Sequence, residues 1–114
     1  MPTRDSTLIP GTFEMLILKA LSLGPIHGWG VAERIERLSD GVCEIQQGAV
    51  YPALQRLLLK GWVTASWRES ENGRRARYYR LTASGRGRLH QELAWWRRAI
   101  GGVDRVLRAT GEGS

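Results

Sequence analysis

The sequence predicts an α+β fold that is mostly helical, and three observations carry that expectation. Apolar residues recur at helical spacing between Gln46 and Gly61, and directly after Gly61 the pattern changes to alternation and runs into an Asn-Gly pair. From Leu89 to Leu107 the apolar residues return at intervals of 4, 3, 4, 3 and 4, the seam of a helix that packs on another helix. A hairpin between two helices therefore occupies the second half of the chain, and shorter helical segments fill the first half.

A chain of 114 residues bounds the answer to one domain with an appended element. With 42% hydrophobic and 25% charged residues it has the composition of a soluble globular protein. No apolar run is long enough to cross a bilayer and no charged-then-apolar export signal opens the sequence, so no membrane partner is expected and the expected compartment is the cytoplasm. One cysteine, Cys43, and two histidines are too few for a Cys/His zinc site, so no metal is expected.

The first eleven residues, with Pro2, Pro10 and Gly11, read as a flexible N-terminal arm. A helix is expected from Thr12 to Leu23, with Thr12 as N-cap and Glu14 in the first turn. Phe13, Leu16, Ile17, Ala20 and Leu21 make its stripe, and Met15 and Leu18 widen it enough to predict a second buried contact, on another subunit. Gly24-Pro25 ends it. A second helix, about Trp29 to Ser39, turns Val31, Ala32, Ile35 and Leu38 inward and Glu33, Arg34, Glu36 and Arg37 outward; His27 at its entrance reads as a structural or capping residue. Val42 to Ile45 reads as a short edge strand.

The third helix places Val50, Leu54, Leu57 and Leu58 on one stripe and Tyr51, Gln55, Arg56 and Lys60 away from it, with Gln47 and Gly48 at its start, Pro52 near the first turn and Gly61 as its stop. Those polar groups can hydrogen-bond a base edge, stack, and neutralise phosphate. Val63, Ala65 and Trp67 then alternate with Thr64, Ser66 and Arg68, the turn Ser70-Glu71-Asn72-Gly73 follows, and Arg77 to Leu81 returns; Arg74, Arg75 and Arg77 lie at the tip and descending side. Net charge is distributed as −2 over residues 1–46, +7 over 47–88 and +1 over 89–114, so the whole basic excess lies with this helix and hairpin. The order helix, helix, short strand, helix, hairpin is that of a winged helix-turn-helix, whose third helix enters the major groove while the hairpin reaches the backbone or minor groove.

Four stretches resemble the PadR family of winged-helix transcriptional regulators, short-chain type: Gly11 to Leu18, Gly24 to Trp29, Gly48 to Leu57, and Gly73 to Gly85. Trp29 stands where Tyr is commoner in the family, and Ala49 where Ser or Thr is usual, which removes one hydroxyl contact to phosphate. The resemblance implies a homodimer that binds a palindromic operator in double-stranded DNA and represses transcription until a small molecule releases it. The DNA-binding candidates are Gln47, Ala49, Tyr51, Gln55, Arg56, Lys60, Arg74, Arg75 and Arg77. Independently, Leu89, Leu93, Trp96, Ile100, Val103 and Leu107 form a dimerisation seam, interrupted at Gly101-Gly102, where a kink or an end is expected.

The expected organisation is an arm at 1–11, a winged-helix domain at 12–82, a C-terminal dimerisation helix at 83–109 and a disordered tail at 110–114. Small family members hold flat aromatic ligands between tryptophans at the dimer centre; the resemblance makes Trp96, Trp95 and Met15 the ligand-binding candidates for a planar aromatic effector. A winged-helix module binding RNA or another protein is the alternative. No carboxylate pair, nucleophile with its base, or phosphate-cradling glycine loop is present, so neither an enzyme nor a cofactor is expected.

Overall fold

The hydrophobic spacing becomes three short helices and a small sheet, capped by one long helix, in a computed structural model that describes residues 9, 11–69 and 71–111. In chain order these are α1 (Phe13–Ser22), β1 (Ile26–His27), α2 (Gly28–Leu38), α3 (Gln47–Leu59), β2 (Val63–Glu69), β3 (Arg75–Leu81) and α4 (Ala83–Arg108). The sheet is antiparallel in the order β1-β3-β2, with Ile26 opposite Tyr79 and Val63 opposite Leu81. Most of the expected N-terminal arm and the last residues of the expected tail, 112–114, lie outside the described residues, as does Ser70.

Helices α1, α2 and α3 bury Ile17, Leu18, Leu21, Val31, Val50, Leu54 and Leu57 completely or nearly so, and Val63, Tyr79 and Leu81 close the core from the sheet. The breadth of α1 is absorbed here: Leu18 and Met15 are buried within their own chain, while Phe13 and Leu16 pack only in part. A second subunit is not needed to explain them. Thr12 precedes α1 without capping it through its side chain; its hydroxyl instead donates to the Ile9 carbonyl at 2.6 Å. On α2 the expected inward Leu38 is exposed, because the helix ends there and the chain turns away through Asp40 and Gly41, both at positive φ. Two residues expected to face solvent are tied down: Arg34 donates to the carbonyls of Ala20 and Gly24, both at 2.8 Å, and Glu36 accepts the Ile45 N–H at 2.9 Å.

The edge strand is Ile26–His27, not Val42–Ile45. The N–H groups of Val42, Cys43 and Ile45 are taken by the Ser39 carbonyl, the Ser39 hydroxyl and the Glu36 carboxylate, which leaves that segment without the donors a ladder needs. Pro52 stands in the second turn of α3 rather than the first, where its missing N–H leaves the Gly48 carbonyl without its helical partner. The returning strand starts at Arg75, two residues earlier than the sequence pattern indicates.

Helix α4 is continuous for 26 residues and passes through Gly101-Gly102 without ending. Its start is fixed at one joint. The Thr82 hydroxyl accepts the Gly85 N–H at 2.9 Å and donates to the Gly61 carbonyl at 2.8 Å, while the Thr82 N–H donates to the Trp62 carbonyl at 3.0 Å. Gly85 lies so close to the Trp62 carbonyl that a β-carbon there would overlap it. Along the seam burial fades outward: Leu89 is 5% exposed, Leu93 and Trp96 pack partly on the core, and Ile100, Val103 and Leu107 are 40%, 54% and 77% exposed. The distal half of α4 thus leaves an apolar edge uncovered in the single chain.

Candidate nucleic-acid interface

The outward side of α3 carries Gln47, Gly48, Ala49, Tyr51, Pro52 and Gln55, all exposed, because Val50, Ala53, Leu54 and Leu57 hold the opposite side in the core. Tyr51 is fixed rather than free. Its ring occupies the space a β-carbon on Gly28 would need, so the first turns of α2 and α3 meet at a glycine. Gln47 Nε2 adds a 3.3 Å bond to the Trp29 carbonyl at the same junction. Arg56 and Lys60 sit on a different flank, facing α1: Arg56 Nε is 2.9 Å and Lys60 Nζ 3.7 Å from the Glu14 carboxylate.

Strand pairing decides which hairpin residues accompany α3. Ala65 lies opposite Tyr79, Trp67 opposite Arg77 and Glu69 opposite Arg75, so these six share one face, which begins in the core at Val63 and Leu81 and continues beyond it. Arg75 lies over the Trp67 ring at 5.6 Å and Arg77 over Tyr79 at 5.7 Å. Burial raises the Tyr79 hydroxyl above its usual pKa; the Arg77 charge and hydrogen bond pull it back, and Tyr51 pushes it further up. Arg77 is therefore a direct neighbour of Tyr79, Tyr51 is near enough to act on Tyr79 through its charge, and β2 packs against α3. Arg74 is also exposed, in the turn, where Gly73 supplies the positive φ.

The family model for the "Transcriptional regulator PadR-like family" matches residues 17–91, which takes in the second half of α1, all of α2, α3 and the hairpin, and the start of α4. The chain belongs to this family. Among solved structures, a PadR family regulator from Eggerthella lenta is 28% identical, with a TM-score of 0.72 over 88% of this chain and 85% of its own. A PadR family regulator from Clostridium difficile is 25% identical, with a TM-score of 0.74 over 85% of this chain and 99% of that one. Bacillus subtilis PadR, solved in complex with operator DNA, shares the fold at 23% identity and a TM-score of 0.64, covering 72% of this chain and 47% of that protein.

In this PadR-like chain the remaining candidates divide into two places. Met15 and Trp96 line one apolar cavity of about 270 Å³ with Leu16, Leu93, Val42 and Cys43. Trp95 lies elsewhere, 48% exposed beside Arg98 and Arg105, since consecutive helical residues point about 100° apart. Among the described residues no cluster of His, Cys, Asp and Glu could hold a metal, and no helix is long and apolar enough to cross a membrane.

Two parts of the interface escaped the sequence reading. Trp29, noticed only as a departure from the family pattern, stacks on His27 at 3.7 Å, and His27 meets the Tyr78 ring edge-on at 5.5 Å. Trp67 shares a face with Val63 and Ala65 in the alternating pattern, and its 60% exposure follows from how far the hairpin projects. The capping role read for His27 is present: its Nδ1 accepts the Gly30 N–H at 3.1 Å, at the start of α2.

Burial holds the His27 pKa below its ordinary value, with Arg34 acting in the same direction and Glu33 and Glu71 opposing it. The folded chain therefore takes up its proton at lower pH than the unfolded chain. The resulting stability is complete above about pH 6.5 and is lost as pH falls from there through the folded-state value. Protonation at Nδ1 also removes the cap acceptor, and losing a cap costs about 1 kcal/mol. His27→Asn retains an acceptor that does not titrate. We expect wild type to lose stability relative to His27→Asn as pH falls below about 6.5 in urea melts; parallel pH profiles would remove the assignment.

Proposed function

We propose that this chain is a sequence-specific DNA-binding repressor that acts as a homodimer on a palindromic operator and is released by a planar aromatic effector. The exposed side of α3 with the arginine-bearing hairpin packed beside it carries this reading, since a helix for the major groove and a cationic arm next to it are what duplex recognition requires. Tyr51 and Gln55 are the base-edge readers, with Gln47 and Ala49 at the helix start against the backbone. Arg74, Arg75 and Arg77 take phosphates.

The uncovered seam at Ile100, Val103 and Leu107 supports pairing of two α4 helices, and the cavity beside Met15 and Trp96 supports an apolar effector. Trp95, facing away from that cavity, lines it only if the partner chain brings it there.

Duplexes selected from random DNA are expected to carry dyad symmetry, with half-sites about one helical turn apart or a multiple of it. A flat aromatic dye should quench tryptophan fluorescence and release the selected duplex from wild type, and do neither with a Trp96→Ala variant shown to remain dimeric. Selected sites without symmetry would exclude the dimeric mode; equal dye affinity for both proteins would exclude the Trp96 site.

A further inference from the structure

We infer that Trp67 is a DNA contact in its own right, its indole packing on the deoxyribose wall of the minor groove beside the stretch read by α3. The inference rests on the duplex-binding reading above. The inner face of the hairpin starts as core, with Val63 2% exposed, passes through half-buried Ala65, and ends at a tryptophan that is 60% exposed. Four residues of extended chain carry Trp67 about 13 Å from Val63, beyond the helices that cover the base of the sheet. At 60% exposure the ring packs only in part within its own chain, with Arg75 over it.

What surrounds the ring defines its occupant. Arg75 lies over the indole, Arg77 stands directly across the strand pair on the same face, Glu69 follows at the tip opposite Arg75, and toward the base of the hairpin β2 packs against α3. An apolar plate flanked by two guanidinium groups matches a surface in which rows of phosphates border a strip of sugar carbon. The walls of a minor groove about 6 Å wide have that composition. An acidic protein surface would satisfy the arginines but offers no reason for the apolar plate to lie in line with the reading helix.

The test compares wild type, Trp67→Ala, Trp67→Tyr and Arg75→Ala on one duplex selected from random DNA, across a range of salt. The side chain is exposed, so all four should melt alike. Trp67→Ala is expected to weaken binding roughly tenfold at every salt concentration with the salt slope unchanged, because the lost contact carries no charge. Trp67→Tyr should recover most of the loss. Arg75→Ala should reduce the slope by about one. Unchanged affinity in Trp67→Ala overturns the inference. So does a loss accompanied by a smaller slope, since the indole would then serve only to hold Arg75. Absence of salt-dependent duplex binding by wild type would instead fell the repressor reading itself.

Discussion

Raising salt from about 50 to about 200 mM is expected to weaken duplex binding by about 10³-fold, and the structure explains why the loss is no larger. Each phosphate neutralised contributes about −0.9 to the slope of log affinity on log salt. On the proposed reading, Arg74, Arg75 and Arg77 from two protomers would neutralise about six phosphates, giving a slope near −5. Arg56 and Lys60 would raise the count, but both are engaged by Glu14 on the flank facing α1. Glu14→Gln should therefore release four cations per dimer and steepen the slope toward about −9. Fluorescence anisotropy on a selected duplex over that salt range measures both values. A flat response in wild type would contradict phosphate binding by the hairpin, and an unchanged slope in Glu14→Gln would show that Arg56 and Lys60 lie off the DNA.

Gln55→Ala is expected to relax base preference at one position per half-site by about 1–3 kcal/mol, the range of one good bidentate contact. Gln55 is exposed one turn after Tyr51, on the side of α3 opposite Val50, Ala53 and Leu57. Its amide can pair with the N6 and N7 positions of adenine, a pattern no other base pair presents in the major groove. Arg74→Ala should behave differently and weaken all sequences alike, because phosphate contacts position without specifying. Competition among single-base variants of the selected site separates the two. Altered preference in Arg74→Ala with none in Gln55→Ala would mean that the hairpin reads the site, through arginine in a narrowed minor groove.

Features that depend on spacing within one segment were legible in the sequence. The stripe of α3, the Asn-Gly turn and the His27 cap are local, and each is present in the folded chain. Features that depend on what arrives from elsewhere were not. Val42–Ile45 has the composition of a strand, but the donors there are consumed by Ser39 and Glu36, and β3 pairs with Ile26–His27 instead. Leu18 looked surplus because the number of helices crossing α1 cannot be counted from α1 alone; Ala53 was passed over because a small residue gives little weight to a stripe, although it is fully buried. The split of the polar residues of α3 into an open side and a basic flank paired with Glu14 is set by where α1 brings that carboxylate, 42 positions from Arg56 in the chain. Gly101-Gly102 costs helix propensity, about 1 kcal/mol per glycine, and α4 is continuous across it.

The joint at Thr82 has a mechanical consequence. It binds the last carbonyls after α3 to the first turn of α4 through two hydrogen bonds and the contact at Gly85, with no flexible linker between. On the proposed reading, α3 and the 26-residue helix would therefore turn as one piece, like one leg of a caliper about 39 Å long. Where two such legs are hinged at their far ends, a swing of about 5° moves each tip by about 3.4 Å, one base-pair step along the duplex. An operator spacing would then be gauged by the angle at the hinge, and anything wedged between the legs near Trp96 would change the gauge without touching a single residue that meets DNA.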